Sequence, residues 1–139
     1  MPTSKERTEK MVKLLDIKEG DKIVDLGAGD GRLVVEAAKA GAESYGYEIS
    51  PALVRLAKKN IWDAGLDSKA FVFCGNLWHQ NLRDFDGVVV YGMRHMMKKL
   101  ERKFEKELKP GAKVVSNYFR LPSWTSVSKE DNIYFYIKE

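Results

Sequence analysis

Apolar and polar positions along this chain follow two periods. Short apolar runs bounded by glycine, proline or polar residues read as strands: Lys22 to Leu26, Ser44 to Ile49, Ala70 to Cys74, Gly87 to Tyr91 and Ala112 to Asn117. Within the fourth, Val88-Val89-Val90 is the continuous run expected of a strand buried on both faces. Between the runs the apolar spacing turns helical. Thr3 and Glu6 stand at capping-box spacing before a first helix whose face is Met11, Val12 and Leu15, and Gly20-Asp21 breaks it. A second helix is predicted from about Gly31 to Ala40, with Gly41 in the position of a C-cap glycine. Ser50 and Pro51 pair as N-cap and first turn of a third, with Leu53, Leu56, Ala57, Ile61 and Ala64 as its apolar face and Gly65 at its end. A long helix after strand four turns Met97, Leu100, Phe104 and Leu108 inward until Pro110-Gly111 stops it. The tail, Trp124 to Lys138, predicts a hairpin turning near Glu130-Asp131-Asn132.

Alternating strands and helices predict an α/β fold: one domain, residues 1–139, with a mostly parallel sheet ending in an antiparallel C-terminal hairpin. About fifteen residues lie between strand five and Ile133, too few for a helix and a hairpin. One helix is therefore expected to be missing after strand five. No repeat, low-complexity tract or linker interrupts the pattern.

Composition narrows the class. A chain of 139 residues buries roughly two-thirds of its unfolded surface, and 44% hydrophobic with 32% charged residues is ordinary for a soluble globular protein. No apolar run reaches membrane-spanning length, and Met1 to Leu15 mixes charged with apolar residues, unlike a secretory signal. Cys74 is the single cysteine, so no internal disulfide forms, as expected of a cytoplasmic protein. Net charge is +4, and residues 94–109 alone hold seven basic and three acidic residues. Arg94, Lys98, Arg102 and Lys106 recur every four residues and predict one helical stripe. A solvated face is its ordinary reading, and a docking surface for an acidic partner or nucleic acid is the other. Two histidines, His79 and His95, with one cysteine do not make a metal site, and no Ser/His/Asp arrangement is visible.

The chemistry concentrates at residues 24–32, Val-Asp-Leu-Gly-Ala-Gly-Asp-Gly-Arg. A strand that breaks on glycines and restarts as a helix is the build of a nucleotide-type cofactor site, because glycine lets backbone turn sharply and approach a ligand closely. Gly27, Gly29 and Gly31 alternate, which is not the dinucleotide spacing. Asp25 places a carboxylate where a pyrophosphate would be repelled, so a ligand with an amino group or positive centre fits better. Asp30 flanks the loop on its other side. Glu48 ends strand two, where an acidic side chain accepts from both ribose hydroxyls of an adenosine. Asn76, after strand three, could meet an adenine edge or simply make a turn. The strand-four end, Tyr91-Gly92-Met93, and the strand-five end, Asn117-Tyr118-Phe119, are candidates for the substrate side, against core packing for each aromatic.

The run 24–32 with Glu48 resembles motif I and the acidic loop of S-adenosylmethionine-dependent methyltransferases of the seven-strand Rossmann-like class. Further stretches sharpen the likeness: Pro2-Thr3-Ser4, residues 46–51 (Gly-Tyr-Glu-Ile-Ser-Pro), residues 75–78 (Gly-Asn-Leu-Trp), residues 90–93 with Met96-Met97, and residues 119–124. Together they resemble small protein-lysine methyltransferases, among them archaeal broad-specificity enzymes and the mitochondrial enzymes acting on the ATP synthase c subunit and the adenine nucleotide translocase. The resemblance implies that S-adenosyl-L-methionine is the cofactor. Asp25, Gly27 and Gly29 would hold its methionine end, Glu48 its ribose, and Asn76 with Leu77 its adenine. Asn76 stands where Asp is usual. The expected reaction is direct displacement of the methyl by a lysine amine, with Tyr91 and Asn117 aiming the amine. Trp78, Tyr118 or Trp124 would line the lysine channel, with Met93 beside them. Partners would be proteins with exposed lysines, without membrane attachment, and the oligomeric state is left open. RNA or small-molecule methylation is the second reading. Tyr91-Gly92-Met93-Arg94 counts against nucleic acid, because amino-methylating enzymes of that kind often carry Asn/Asp-Pro-Pro-Tyr there. A cofactor-binding subunit without turnover is the third.

Overall fold

A computed structural model describes residues 4–139. The chain alternates as predicted: α1 (Lys5–Leu15), β1 (Lys22–Asp25), α2 (Arg32–Lys39), β2 (Glu43–Glu48), α3 (Pro51–Asp63), β3 (Ala70–Cys74), β4 (Gly87–Val90), α4 (Met97–Glu107), β5 (Lys113–Asn117), β6 (Ser128–Glu130) and β7 (Ile133–Ile137). Thr3 lies outside the described residues. Ser4 is the N-cap of α1, its hydroxyl accepting from the Arg7 N–H at 3.1 Å. No helix among the described residues is long and apolar enough to cross a membrane.

The seven strands form one sheet in the order β3-β2-β1-β4-β5-β7-β6. All neighbours are parallel up to β5, and β7 is antiparallel to both β5 and β6. The order reverses between β1 and β4, so the crevice of a doubly wound sheet opens beyond the carboxyl ends of those two strands. Both are buried on both faces, and Val24, Val88 and Val90 are fully enclosed. On one face α1 and α2 bury Met11, Leu15, Leu33 and Ala37 against Ile23, Val89 and Val115. On the other, α4 buries Leu100, Phe104 and Leu108 against Val88, Val90 and Val114.

The helix missing after β5 is replaced by an extended strap. Leu121 is 1% exposed, and its N–H donates to the Tyr136 hydroxyl at 2.9 Å. Ser123 donates its N–H to Glu101 Oε2 at 2.9 Å and its hydroxyl to Glu101 Oε1. Trp124 wedges against Phe104 and Tyr136, with ring centroids 6.2 Å and 6.1 Å away. The strap therefore performs a helix's covering role with one aliphatic and one aromatic plug.

Two expectations need correction. The basic stripe is broken: Arg94 belongs to a 3-10 turn, Arg94–Met96, that precedes α4, and its guanidinium lies 5.9 Å from the Phe119 ring centroid. The apolar face of α3 is Val54, Ala57 and Ile61, whereas Leu53, Leu56 and Ala64 are exposed. A four-residue recurrence of basic residues does not require one unbroken helix. An apolar helical position can face a cleft as readily as a core.

Because Leu121 plugs the sheet face that lacks a helix, Leu121→Ala is expected to lower unfolding free energy by about 2–5 kcal/mol. Urea unfolding checks it, and a loss under about 1 kcal/mol would show that the strap is dispensable.

Candidate functional site

The turn from β1 into α2 is pinned on two sides. The Leu26 N–H donates to the Val89 carbonyl at 2.9 Å, and the Ala28 N–H donates to the Tyr47 carbonyl at 3.0 Å. The loop thus lies directly over β2. Gly46 makes this possible: a Cβ there would lie 2.6 Å from Ala28 Cβ and 2.8 Å from Val34 Cγ2. Gly29 takes φ +55° at the crest, and a Cβ on Gly27 or Gly29 would meet nothing within 4 Å. These two glycines leave a bare backbone facing open space, as a closely held ligand requires.

Carboxylates surround that backbone. Asp25 is 6% exposed at the end of β1. Burial pushes its carboxyl up to about 7; the Gly27 N–H opposes the shift and the charge of Glu48 adds to it. Glu48 binds the loop to the start of α3, its Oε1 accepting from the Gly29 N–H and its Oε2 from the Ser50 N–H, both at 2.9 Å. Each oxygen keeps a second lone pair for a hydroxyl donor. Asp30 pairs with Arg32 at 3.1 Å and accepts from its N–H at 3.2 Å.

A cleft of about 520 Å³ opens over this loop. It gathers Asp25, Gly27, Gly29 and Asp30 with Tyr91, just past the end of β4, and Asn117 from β5, all predicted from sequence. It also gathers Met11, Leu53 and Leu56, which the helical pattern placed on core faces. The two leucines, 37% and 43% exposed, give the cleft an apolar wall.

The remaining candidates divide. Asn76 lies beyond the cleft-lining residues and caps the 3-10 turn Leu77–His79, its Oδ1 accepting from the Trp78 N–H at 2.9 Å. That is the turn role its position allowed. Leu77 and Trp78 pack beside the α4 core, and Lys99 Nζ stands 4.3 Å from the Trp78 ring centroid. Trp124 is not brought to the cleft. It packs on Tyr136, which registers with Val114, toward the amino end of β5, and its indole N–H has no partner among the described residues. Tyr118 is 42% exposed at the carboxyl end of β5, 5.4 Å from Tyr91 in an edge-on contact. Met93 is 60% exposed on the same rim.

Asn117 is 1% exposed. Its Oδ1 accepts from Arg7 Nε at 2.7 Å, and its Nδ2 approaches Met11 Sδ at 2.8 Å. Arg7 also donates to the carbonyls of Asp131 at 2.7 Å and Asn132 at 3.2 Å, and lies 4.2 Å from the Tyr118 ring centroid. Nothing in the sequence distinguishes Arg7 from the other basic residues of α1, and only the strand order brings it to the site. Burial, with the adjoining Tyr118 hydroxyl, holds the Tyr91 phenol above its ordinary value, against a smaller pull from Arg7.

The residues fit S-adenosylmethionine. A buried acid suits a positive centre, the bare glycines admit close backbone contact, Glu48 suits vicinal hydroxyls, and the leucines suit an apolar surface. The cation beside the loop, Arg32, is paired with Asp30 rather than presented to a phosphate.

Residues 25–128 match the family described as the ANTKMT methyltransferase domain. The chain is 38% identical over 125 residues to the ATP synthase c-subunit lysine N-methyltransferase of Rattus norvegicus, covering 90% of this chain and 57% of that protein. It is 40% identical to the adenine nucleotide translocase lysine N-methyltransferase of Mus musculus, covering 90% and 55% respectively. It thus spans little more than half the length of these relatives. A protein-lysine N-methyltransferase of Saccharolobus islandicus is 32% identical, covering 89% of this chain and 78% of that one. Among solved structures, an RNA methyltransferase from Salinibacter ruber in complex with S-adenosyl-L-homocysteine superposes with TM-score 0.95 at 34% identity. It covers 100% of this chain and 95% of that one.

The raised Asp25 carboxyl has a stability consequence. Between the ordinary value of 3.8 and about 7 the folded chain holds a proton that the unfolded chain has released, so stability falls as pH rises through that window. Each pKa unit is worth about 1.4 kcal/mol, so ionised Asp25 destabilises the unligated protein by a few kcal/mol at most. Asp25→Asn should therefore raise the melting temperature of the cofactor-free protein at about pH 8, with the gain shrinking toward about pH 4. It should also weaken cofactor binding. Equal melting curves for both proteins at every pH would contradict this.

Proposed function

The chain belongs to the ANTKMT methyltransferase domain family, whose cofactor is S-adenosylmethionine, and from that premise we propose that it methylates lysine ε-amines of protein substrates. The observation that carries the reading is the convergence of Tyr91 and Asn117 on the cleft beside the acid-lined glycine loop, with Tyr118 edge-on to Tyr91 at the rim. The cofactor supplies an electrophilic methyl, which a neutral amine takes by forming a C–N bond as the S–C bond breaks. A free lysine has a pKa of roughly 10.4, so the site must favour the uncharged amine. The rings of Tyr91 and Tyr118, exposed in the free protein, would cover an entering lysine side chain and strip its water, which disfavours the ammonium. In this reading Asn117 Oδ1 and the Tyr91 hydroxyl would accept the amine N–H bonds and aim its lone pair. Met93 extends the apolar rim toward the polypeptide bearing the lysine. Asp25, Gly27 and Gly29 would hold the methionine end of the cofactor, with Asp30 at the loop's edge and Glu48 on the ribose. Asn76 and Leu77 keep the adenine end, although Asn76 Oδ1 already accepts from the Trp78 N–H. The exposed, unpaired Cys74 is consistent with a cytoplasmic setting.

A second reading, RNA methylation, is favoured by the close fold match to the Salinibacter RNA methyltransferase. Against it stands Tyr91-Gly92-Met93-Arg94 where an amino-methylating nucleic-acid enzyme often carries Asn/Asp-Pro-Pro-Tyr.

Incubation with methyl-labelled cofactor and either mixed cell protein or total RNA decides between them. Label recovered as methyllysine is expected; label in RNA alone would overturn the lysine reading, and no transfer to either would leave a binding subunit. Tyr91→Phe and Asn117→Ala should each lower methyllysine formation about 10-fold or more while cofactor binding persists. Full turnover in both would remove their assigned roles.

A further inference from the structure

We propose that Arg7 is a positioning residue of the acceptor side, locking Asn117 and Tyr118 against the cleft and holding there a fixed positive charge that keeps an entering lysine amine neutral. The inference rests on the lysine reading above and deepens it.

The geometry begins with the Asn117 amide. Its oxygen faces a guanidinium donor at 2.7 Å and its nitrogen faces the Met11 sulfur at 2.8 Å. Reversing the amide would set two donors against each other, so Arg7 fixes which atom meets the amine. One lone pair of Oδ1 remains for a substrate N–H. The other donors of Arg7 hold the carbonyls of Asp131 and Asn132, which have φ +51° and +60°. Its plane lies over Tyr118, which has φ +70° and whose N–H donates to the same Asn132 carbonyl at 2.6 Å. Such left-handed residues persist only where their surroundings hold them. One planar fork holds two of them and covers the third, which a lysine's point charge could not do.

The charge has a separate effect. A like charge within a few ångströms disfavours protonation of an amine. Arg7 contacts Asn117, assigned to the amine, and Tyr118, assigned to the channel mouth, so its charge stands on the amine's side. The other charged groups nearby are committed elsewhere. On α1, Lys10 pairs with Asp131 and Glu130 on the outer turn. On the loop, Asp30 pairs with Arg32, and Glu48 is engaged by two backbone N–H groups. Asp25 is buried at the end of β1 beside Gly27 and Gly29, on the side assigned to the cofactor. Tyr91 and Tyr118 complete the wall, and the pull of Arg7 on the Tyr91 phenol has the sign expected for its effect on an amine.

The test compares Arg7→Gln, which removes both the charge and the fork, with Arg7→Lys, which keeps the charge and loses the fork, so that the difference between the two reports the charge. Methyllysine formation on mixed cell protein is followed against pH, and S-adenosylhomocysteine binding is titrated in parallel. Both variants should bind S-adenosylhomocysteine within about twofold of the unaltered protein. For R7Q, which loses fork and charge together, kcat should fall at every pH as in R7K and the acid limb should also move up by about one pH unit, a further loss of roughly tenfold near neutrality that is regained in alkali. For R7K the limb should stay in place while kcat falls at every pH. In the cofactor-free protein, ultraviolet titration should show Tyr91, identified by its loss in Tyr91→Phe, ionising at higher pH in R7Q. In the unaltered protein, added salt screens the guanidinium, so the acid limb should rise with ionic strength. This readout stands even if R7Q fails to fold. An R7Q loss equal at all pH values, no loss at all, or a limb indifferent to salt would overturn the proposal. Absence of methyllysine with the unaltered protein would instead overturn the lysine reading itself.

Discussion

The structure turns on one close approach, that of the β1–α2 turn to β2. The turn must lie near enough to β2 for Ala28 to donate to the Tyr47 carbonyl, yet leave its upper surface bare. Gly46 beneath it supplies the first condition, because any Cβ there would strike Ala28 and Val34. Gly27 and Gly29 supply the second. Glu48 then ties the crest of the turn to the cap of α3, which fixes the wall carrying Leu53 and Leu56. Asp25 is buried because the turn folds back over it, and its raised carboxyl follows from that burial. A site built this way is held at a cost in the free protein, as sites that store electrostatic strain commonly are.

The opposite side of the cleft is built with little material. No helix follows β5 among the described residues, so the strap carrying Leu121 and Trp124 seals the sheet face. The rim is then left to the first helix and the last hairpin. α1 sends Met11 into the cleft and Arg7 to the end of β5, and the β6–β7 turn offers its carbonyls to Arg7. Chain regions more than a hundred residues apart thereby form one wall, and this rim depends on the fold closing as a unit.

Much of this is legible in the amino-acid order alone. Periodicity places the strands and helices, and residue chemistry at a strand end singles out the glycine loop with Asp25 and Glu48. What escapes has physical reasons. The apolar period of α3 reports which positions avoid water, and a cofactor cleft avoids water as a core does, so Leu53 and Leu56 carry the pattern of interior positions. Trp124 invites a substrate role because it follows β5 closely, but the missing helix leaves a hole that an indole fills. Arg94 continues a four-residue recurrence that the backbone interrupts with a 3-10 turn. Arg7 carries no local signal, because its partners Asn117, Asp131 and Asn132 are brought together only by the strand order.

A buried, proton-holding carboxyl beside bare glycines is suited to receive a positively charged cofactor. Calorimetry of S-adenosylmethionine binding at about pH 6.5, in two buffers of different ionisation enthalpy, tests it most directly. With its carboxyl held near 7, Asp25 is largely protonated in the free protein at that pH and must ionise to face a cation. Binding should then release a proton, so the apparent enthalpy should differ between the buffers, and the difference should vanish in Asp25→Asn. Equal enthalpies in both buffers, with binding intact, would contradict the account.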